Sequence, residues 1–139
     1  MTNRSLFLTA AFFAQFCAAM PAPTAQAQPA TSLTASCASL RTGLEKLNPP
    51  ESELVTIDVV GKLVNSHFDG AIAYLALCEA PDPEVLCITY STGDLKPGDM
   101  VMVSGGYGRP DADHVILDPC LPYPPSREVL ESLKLKKAD

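Results

Sequence analysis

An apolar N-terminal stretch, followed by a short region with four cysteines, constrains the fold of this chain more than any other feature. Residues 6–20 are almost wholly apolar and follow Asn3 and Arg4, and Ala25 and Ala27 form a small-x-small site. This pattern is typical of a cleaved export signal. The stretch is also shorter than the roughly 20 apolar residues of a membrane-spanning helix. We therefore expect residues 1–27 to be a signal peptide and the mature protein to be periplasmic or secreted.

Four cysteines remain in the mature region: Cys37, Cys78, Cys87 and Cys120. An even number of cysteines in a small exported domain predicts two disulfides. Zinc sites and redox-active cysteines usually show a CxxC spacing, which this sequence lacks. Three connectivities are possible. The positions favour Cys78–Cys87 across a turn, with Cys37–Cys120 joining the two flanks of the domain.

The charge of the chain bears on its partners. Removal of Arg4 with the signal changes the formal net charge from −6 to −7. An acidic domain repels phosphate backbones and anionic lipid. The composition therefore predicts no nucleic-acid partner and no stable membrane insertion after signal cleavage.

The mature region begins with a helical period. Apolar residues recur every three or four positions, which predicts a helix over residues 33–47 with one apolar stripe. The stripe consists of Leu33, Cys37, Leu40, Leu44 and Leu47. Thr31 or Ser32 would cap its start, and the two prolines at 49 and 50 would end it.

From residue 55 the apolar period becomes two, which is typical of strands. Five strands are predicted at residues 55–64, 71–78, 85–90, 100–104 and 114–118. Gly61 lies inside the first strand, where glycine often marks a bulge or bend. Pro97 and Gly98 predict a type II turn. Residues 105–113 are expected to be a connector whose glycines supply positive φ, and Ser126 caps a last helix that ends near residue 137.

Residues 55–64, with the bend at Gly61, and the turn–strand segment 95–105 resemble the OB-fold over residues 54–121. That resemblance implies a mainly β fold, a five-stranded Greek-key barrel. Residues 28–53 would be an N-terminal helical segment packing on the barrel, and residues 122–139 a C-terminal tail with a short helix. A thin β-sandwich is the alternative fold.

One departure from the family pattern shapes this prediction. Many OB-folds place a helix between the third and fourth strands, and residues 91–98 are too short for one. The N-terminal helix is therefore expected to plug the open end of the barrel, fastened by Cys37–Cys120. In this respect the chain is similar to small exported bacterial OB-type domains.

The resemblance also implies where a ligand would bind. OB-folds bind ligands on the face of their second and third strands, flanked by two loops. By position these loops are residues 65–70 and 105–113. They contain the candidate ligand-binding residues His67, Phe68, Tyr107 and Arg109.

The sequence contains no recognisable catalytic pattern, so no catalytic residue, metal or cofactor is predicted. Neither His67 nor His114 has a partner at a metal-ligand spacing. A site built from His114, Asp113 and the pair Met100 and Met102 remains the metal-handling alternative.

The favoured hypothesis is a non-catalytic exported binding or adaptor domain, stabilised by disulfides, that recognises a protein partner or a small envelope ligand. The first alternative is a periplasmic metal-handling protein or an enzyme accessory subunit. The second is an oligosaccharide-binding OB module that uses Phe68 and Tyr107.

Overall fold

The computed structural model describes residues 33–50 and 53–136, so the predicted signal peptide, residues 1–27, lies outside the described part. In chain order the elements are β1 (Leu33–Ser36), α1 (Cys37–Leu47), β2 (Thr56–Phe68), β3 (Ala73–Leu77), β4 (Glu84–Thr89), β5 (Met100–Gly108), β6 (His114–Tyr123) and α2 (Arg127–Ser132). No helix in these two ranges is long and apolar enough to cross a membrane.

Five of the strands close into a barrel. The sheet order is β1-β2-β3-β4-β6-β5, and β2 also pairs with β5, which closes the ring. The pairs β2–β3, β3–β4, β5–β6 and β2–β5 are antiparallel, whereas β4 and β6 are parallel. The predicted mainly β, OB-like barrel with one helix before it and a short helix after it is confirmed.

The alternation of buried and exposed residues along the strands fills the barrel with aliphatic side chains. In β2, Ile57, Val59 and Leu63 are fully buried and face the barrel interior. Val64 is the extra residue of a bulge, because Leu63 pairs with Leu77 but Asn65 pairs with Ala76. Side chains of α1, including Leu40 and Leu44, belong to the same buried cluster, so the helix completes the core.

The start of α1 differs from the prediction. Residues 33–36 form β1, which runs parallel to β2 with Leu33 opposite Ile57. The helix begins at Cys37 with Ser36 as its N-cap, and Ser36 and Ser39 form a capping box. Leu33 fits the helical spacing although it lies in β1, and its side chain packs beside Gly43 of the helix.

Both predicted disulfide pairs are wrong. The bonds join Cys37 to Cys78, with a Cα–Cα distance of 5.5 Å, and Cys87 to Cys120, with 5.4 Å. Cys87 does not face Cys78 across the hairpin, because its partner on β3 is Leu75. The predicted Cys37–Cys120 fastening of the helix is therefore replaced by a bond to the end of β3.

The first bond follows from an arrangement that the sequence did not reveal. β1 and β3 lie end to end along the same edge of β2, since β1 ends opposite Val60 and β3 ends opposite Leu63. Cys37 and Cys78 each come directly after one of these strands. The two thiols therefore meet in the gap, and the bond ties the start of α1 to the barrel.

Gly61 has a steric role in this gap. It pairs in register with Val101, and the bulge in β2 occurs later, at Val64. A Cβ on Gly61 would collide with the Cys37 sulfur and lie 3.3 Å from Cys78 Sγ. Glycine is therefore required at this position because the disulfide passes directly over the backbone of β2.

The predicted glycine connector also needs correction, because residues 105–108 belong to β5. Positive φ occurs at Gly70, Gly93 and Gly98, not at Gly105 or Gly106. A Cβ on Gly105 would lie 2.5 Å from the Pro119 carbonyl oxygen. Here glycine permits the close approach of the irregular part of β6. The connector itself shortens to residues 109–113.

The C-terminal part extends the barrel beyond the predicted boundary at residue 121. β6 continues to Tyr123, which pairs with Met102. Ser126 caps α2 as predicted, but the helix ends at Ser132. Leu130 of α2 packs on Val60 and Met102, so this helix covers the outer side of β2 and β5.

Candidate functional site

The four predicted ligand-binding residues lie at two separate places. His67 and Phe68 are the last residues of β2, opposite the start of β3. Tyr107 lies near the end of β5, where its amide donates to the carbonyl of Val55, before β2 begins. More than ten strand residues of β2 separate the two pairs along the barrel wall. Each pair therefore belongs to a different surface.

His67 and Phe68 also point to opposite sides of the sheet, since side chains alternate along a strand. The His67 ring stacks on Tyr74, its partner on β3, with ring centroids 6.4 Å apart and an interplanar angle of 23°. Phe68 lies opposite Ala73, a buried residue, yet remains 51% exposed at the mouth of the barrel. Only His67 thus contributes to the outer surface of β3 and β4.

That outer surface is apolar and partly exposed. We define the outer apolar face as five residues on β3, β4 and β6: Tyr74, Ala76, Leu86, Ile88 and Ile116. They are adjacent across the strands, because Tyr74 pairs with Ile88, Ala76 with Leu86, and Leu86 with Ile116. Their neighbours in sequence point inward and are buried. The face extends from β4 onto β6 because these two strands are neighbours in the sheet, although β5 lies between them in the sequence.

Asp69 organises the end of this face nearest to His67. Its Oδ1 accepts hydrogen bonds from the amides of Ala71 and Ile72, each at 2.8 Å, and its Oδ2 accepts one from the Tyr74 hydroxyl at 3.4 Å. The amides of Ile72 and then Ala71 hold the pKa of Asp69 below its usual value. The carboxylate is therefore ionised at neutral pH, closes the β2–β3 loop and orients the tyrosine.

The opposite end of the face is formed by the loop at residues 109–113. Asp111 Oδ1 accepts from the amides of Asp113 at 2.8 Å and His114 at 2.9 Å, and lies 2.7 Å from His114 Nδ1. The hydrogen bond to Asp111 raises the pKa of His114, and the aspartate's charge adds to this effect. The amide of Asp113, followed by the His114 side chain, lowers the pKa of Asp111.

Arg41 connects α1 to this loop and to the β3–β4 loop. Its guanidinium donates to the carbonyls of Ala112 at 3.0 Å and Pro81 at 3.2 Å, and to Asp113 Oδ1 at 3.0 Å. This contact and the Cys37–Cys78 bond both fix α1 against the barrel. The helical stripe had no feature that indicated this polar anchor.

Tyr107 and Arg109 do share a cavity, of about 620 Å³, between the end of α1 and the end of β5. Its other lining residues come from α1 and the segment after it: Leu44, Glu45, Asn48, Pro49, Pro50, Glu53 and Gly108. Burial raises the pKa of the Tyr107 phenol, and the charge of Arg109 acts in the opposite direction. The cavity is within the size range of small-molecule sites.

Arg109 is already partly engaged within its own loop. Its Nε donates to the Asp111 carbonyl at 3.0 Å and its NH2 group to the Ala112 carbonyl at 3.2 Å. The cavity also combines this cation with two carboxylates, Glu45 and Glu53. The lining therefore has no dominant charge that selects one class of ligand.

The residues of the metal-handling alternative lie apart. Among residues 33–50 and 53–136, no three His, Cys, Asp or Glu side chains are grouped so that they could hold a metal ion. Met100 and Met102 belong to the cluster under α2, whereas His114 lies at the start of β6. The geometry does not support a shared metal site for these residues.

Comparison with known proteins gives a likeness of fold. No family model and no curated protein matches the chain. Among solved structures, the chain is similar to one in the crystal structure of the S. pombe Stn1-ten1 complex, with 12% identity and a TM-score of 0.40. The match covers 57% of this chain and 65% of that chain, just under two thirds of its length. At these values we transfer no residue role from it.

One prediction about partners needs correction. The acidic composition predicted that nucleic acid is not a partner, and this exclusion is withdrawn beside the likeness of fold to a chain of the Stn1-ten1 complex, which itself assigns no ligand to this chain. Net charge describes the whole surface, whereas binding depends on local residues. Nucleic acid is therefore included among the ligands to be tested.

Proposed function

We propose that this chain is an exported, non-catalytic binding domain that recognises a protein partner through the outer apolar face. The observation behind the proposal is the continuity of that face across three strands. Each of its five side chains is partly exposed, at outward-facing strand positions that could equally have carried polar residues. Apolar patches that remain on the surface of a small domain commonly mark interaction sites.

The ends of the face suggest what kind of partner fits. Asp69 lies beside Tyr74, and Glu84 lies opposite His114 at the other end. Both carboxylates are exposed. A segment with apolar side chains and flanking basic residues would complement this surface, because opposite charges at a rim favour association and orient the partner.

The localisation belongs to the same proposal. Both cysteine pairs have disulfide geometry, which is typical of proteins in oxidising compartments. The apolar residues 6–20 and the small-x-small site support export to the periplasm or beyond. Intact mass measurement of protein from the envelope fraction tests this point: a chain that starts near Gln28 is expected, and an intact Met1 would contradict it.

The binding proposal is tested by affinity capture from envelope extract with the oxidised protein, followed by direct binding of the recovered partner. Ile88→Glu is expected to weaken binding about tenfold or more, since it places a charge in the centre of the contact. The matched control is Leu54→Glu, because Leu54 is 90% exposed and lies outside the face. This variant should bind like the wild type.

The possible outcomes separate the proposals. Equal loss of binding in both variants, or no loss in either, would show that the outer apolar face is not the interface. If nucleic acid is recovered and Ile88→Glu weakens its binding, the outer apolar face is the interface but its partner is nucleic acid and not a protein. Circular dichroism of each variant ensures that only folded protein is compared.

A further inference from the structure

A buried carboxylate lies on a different surface, the outer side of the first half of β2. Asp58 is only 8% exposed and lies between Thr34 of β1 and Ser104 of β5, its partners in register. Its Oδ2 accepts a hydrogen bond from Thr34 Oγ1 at 3.5 Å, the upper limit for such a bond. Its Oδ1 accepts none from any residue that the structure describes.

This arrangement does not stabilise the isolated fold. A buried polar atom without a partner destabilises the folded state, and more so when it is charged. Val60, the next residue on the same side of β2, is buried, so this side of the strand accommodates an aliphatic side chain at this depth. A carboxylate with an unused oxygen is therefore better explained by a ligand that it binds than by packing.

The neighbours of Asp58 define the chemistry of such a ligand. Thr34, Asp58, Ser104 and Leu121 form one row across β1, β2, β5 and β6, and cross-strand partners share a face of the sheet. The row therefore presents two hydroxyls and a carboxylate side by side. An ammonium group has three donors and no acceptor, which matches three oxygen acceptors.

Leu121 extends the row with an apolar surface. Its side chain is 67% exposed, and Tyr123, in the next row, is 38% exposed. A lysine side chain can lay its aliphatic stem along such a surface while its ammonium group reaches an acid. The net charge of −6 also favours the approach of a cation.

We propose that Asp58, with Thr34 and Ser104, binds the ammonium group of a lysine side chain of a protein partner. The site is separate from the outer apolar face, since it uses β1, the first half of β2 and β5. It goes beyond the proposed function because it assigns a second contact surface and a specific group to be recognised.

Thermal unfolding of the oxidised full chain with n-butylammonium chloride tests the site directly. Tetramethylammonium chloride at the same concentration is the control salt, since it has the same charge but no N–H donor. At twice the dissociation constant, linkage multiplies the folding constant about threefold, which raises the Tm of a domain of this size by roughly 3 °C. A saturable rise with butylammonium alone is expected.

Variants locate the effect. Asp58→Asn should abolish the response, and Thr34→Val, at an exposed position, should weaken it while the fold is kept. Asp94→Asn removes the same charge from an exposed loop and should respond like the wild type. Without added salt, Asp58→Asn is expected to have an equal or higher Tm, because the buried charge is removed.

Three results would overturn the proposal. One is an equal response of Asp58→Asn and wild type to butylammonium. Another is an equal response of the wild type to the two ammonium salts. The third is a saturable response to calcium chloride but not to butylammonium, which would assign a divalent cation to the row.

Discussion

The requirement for glycine at position 61 comes from the disulfide between Cys37 and Cys78, which lies against its backbone. A methyl group at this position must displace the Cys37 sulfur, so we expect Gly61→Ala to cost about 1 to 3 kcal/mol of unfolding free energy. Gly108→Ala is the matched control, because its Cβ would meet nothing closer than 3.7 Å. Urea unfolding of both variants makes the comparison.

The same prediction has an internal check. In a chain with Ala at both 37 and 78, the collision partner is absent, so Gly61→Ala should cost much less than in the disulfide-bonded protein. Residues in direct contact show this kind of non-additivity. Equal costs in the two backgrounds would mean that glycine serves the backbone of β2 and not the disulfide.

His114 and Asp111 form a second residue-scale unit with a pH dependence. Because the pKa of His114 is raised on folding, its contribution to stability is complete below the unfolded pKa of about 6.5 and is lost as pH rises through the folded pKa. The Tm difference between wild type and His114→Gln should therefore be larger at pH 5.5 than at pH 8.5.

An NMR titration of the His114 ring tests whether Asp111 causes the raised pKa of His114. Asp111→Asn retains an oxygen that can accept from the loop amides but removes the charge, so the pKa of His114 should fall toward its ordinary value. An unchanged His114 titration in this variant would contradict the assigned partner. The titration can be followed in the folded protein without a ligand, because both side chains are exposed to solvent.

At the scale of elements, the sequence predicted the five barrel strands because alternation is visible locally, but it missed β1 and the later parts of β5 and β6. The turn at Pro97 and Gly98 was also predictable, and Gly98 has a φ of 97°. The start of α1 was not, because Leu33 satisfies the helical spacing and the β1–β2 register at once. The cysteine pairing depends on β1 and β3 sharing an edge of β2, which local patterns do not encode.

Arg41 carries an element-scale prediction about how α1 is fixed to the barrel. Arg41→Lys loses the forked contact with two carbonyls from different loops, so we expect a loss of about 0.5 to 1.5 kcal/mol in urea unfolding. Asp113→Asn removes only the exposed ion pair and should cost less. A larger effect of Asp113→Asn would reverse this ranking of the contacts.

At the scale of the whole molecule, candidate sites form where elements distant in sequence meet. Tyr107 and Arg109 were predicted, but the cavity also needs Glu45 and Glu53, which depend on the position of α1. The outer apolar face needs Ile116 beside Leu86, which follows from the parallel pairing of β4 with β6. Knowledge of the barrel fold alone did not identify these neighbours, because they depend on which residues pair between adjacent strands.

The two disulfides allow a test of what stabilises the whole barrel. Their sequence separations are 41 and 33 residues, so the chain-entropy model assigns each about 4 kcal/mol. Cys87 and Cys120 are both buried in the core, whereas in the other pair Cys78 is buried and Cys37 is partly exposed. Replacement of Cys87 and Cys120 by Ala should therefore destabilise the protein more than replacement of Cys37 and Cys78, because packing is lost in addition to the cross-link. Urea unfolding of the two double variants measures the difference. Equal losses would mean that the cross-links act only on the unfolded chain and that the core closes around the missing sulfur atoms.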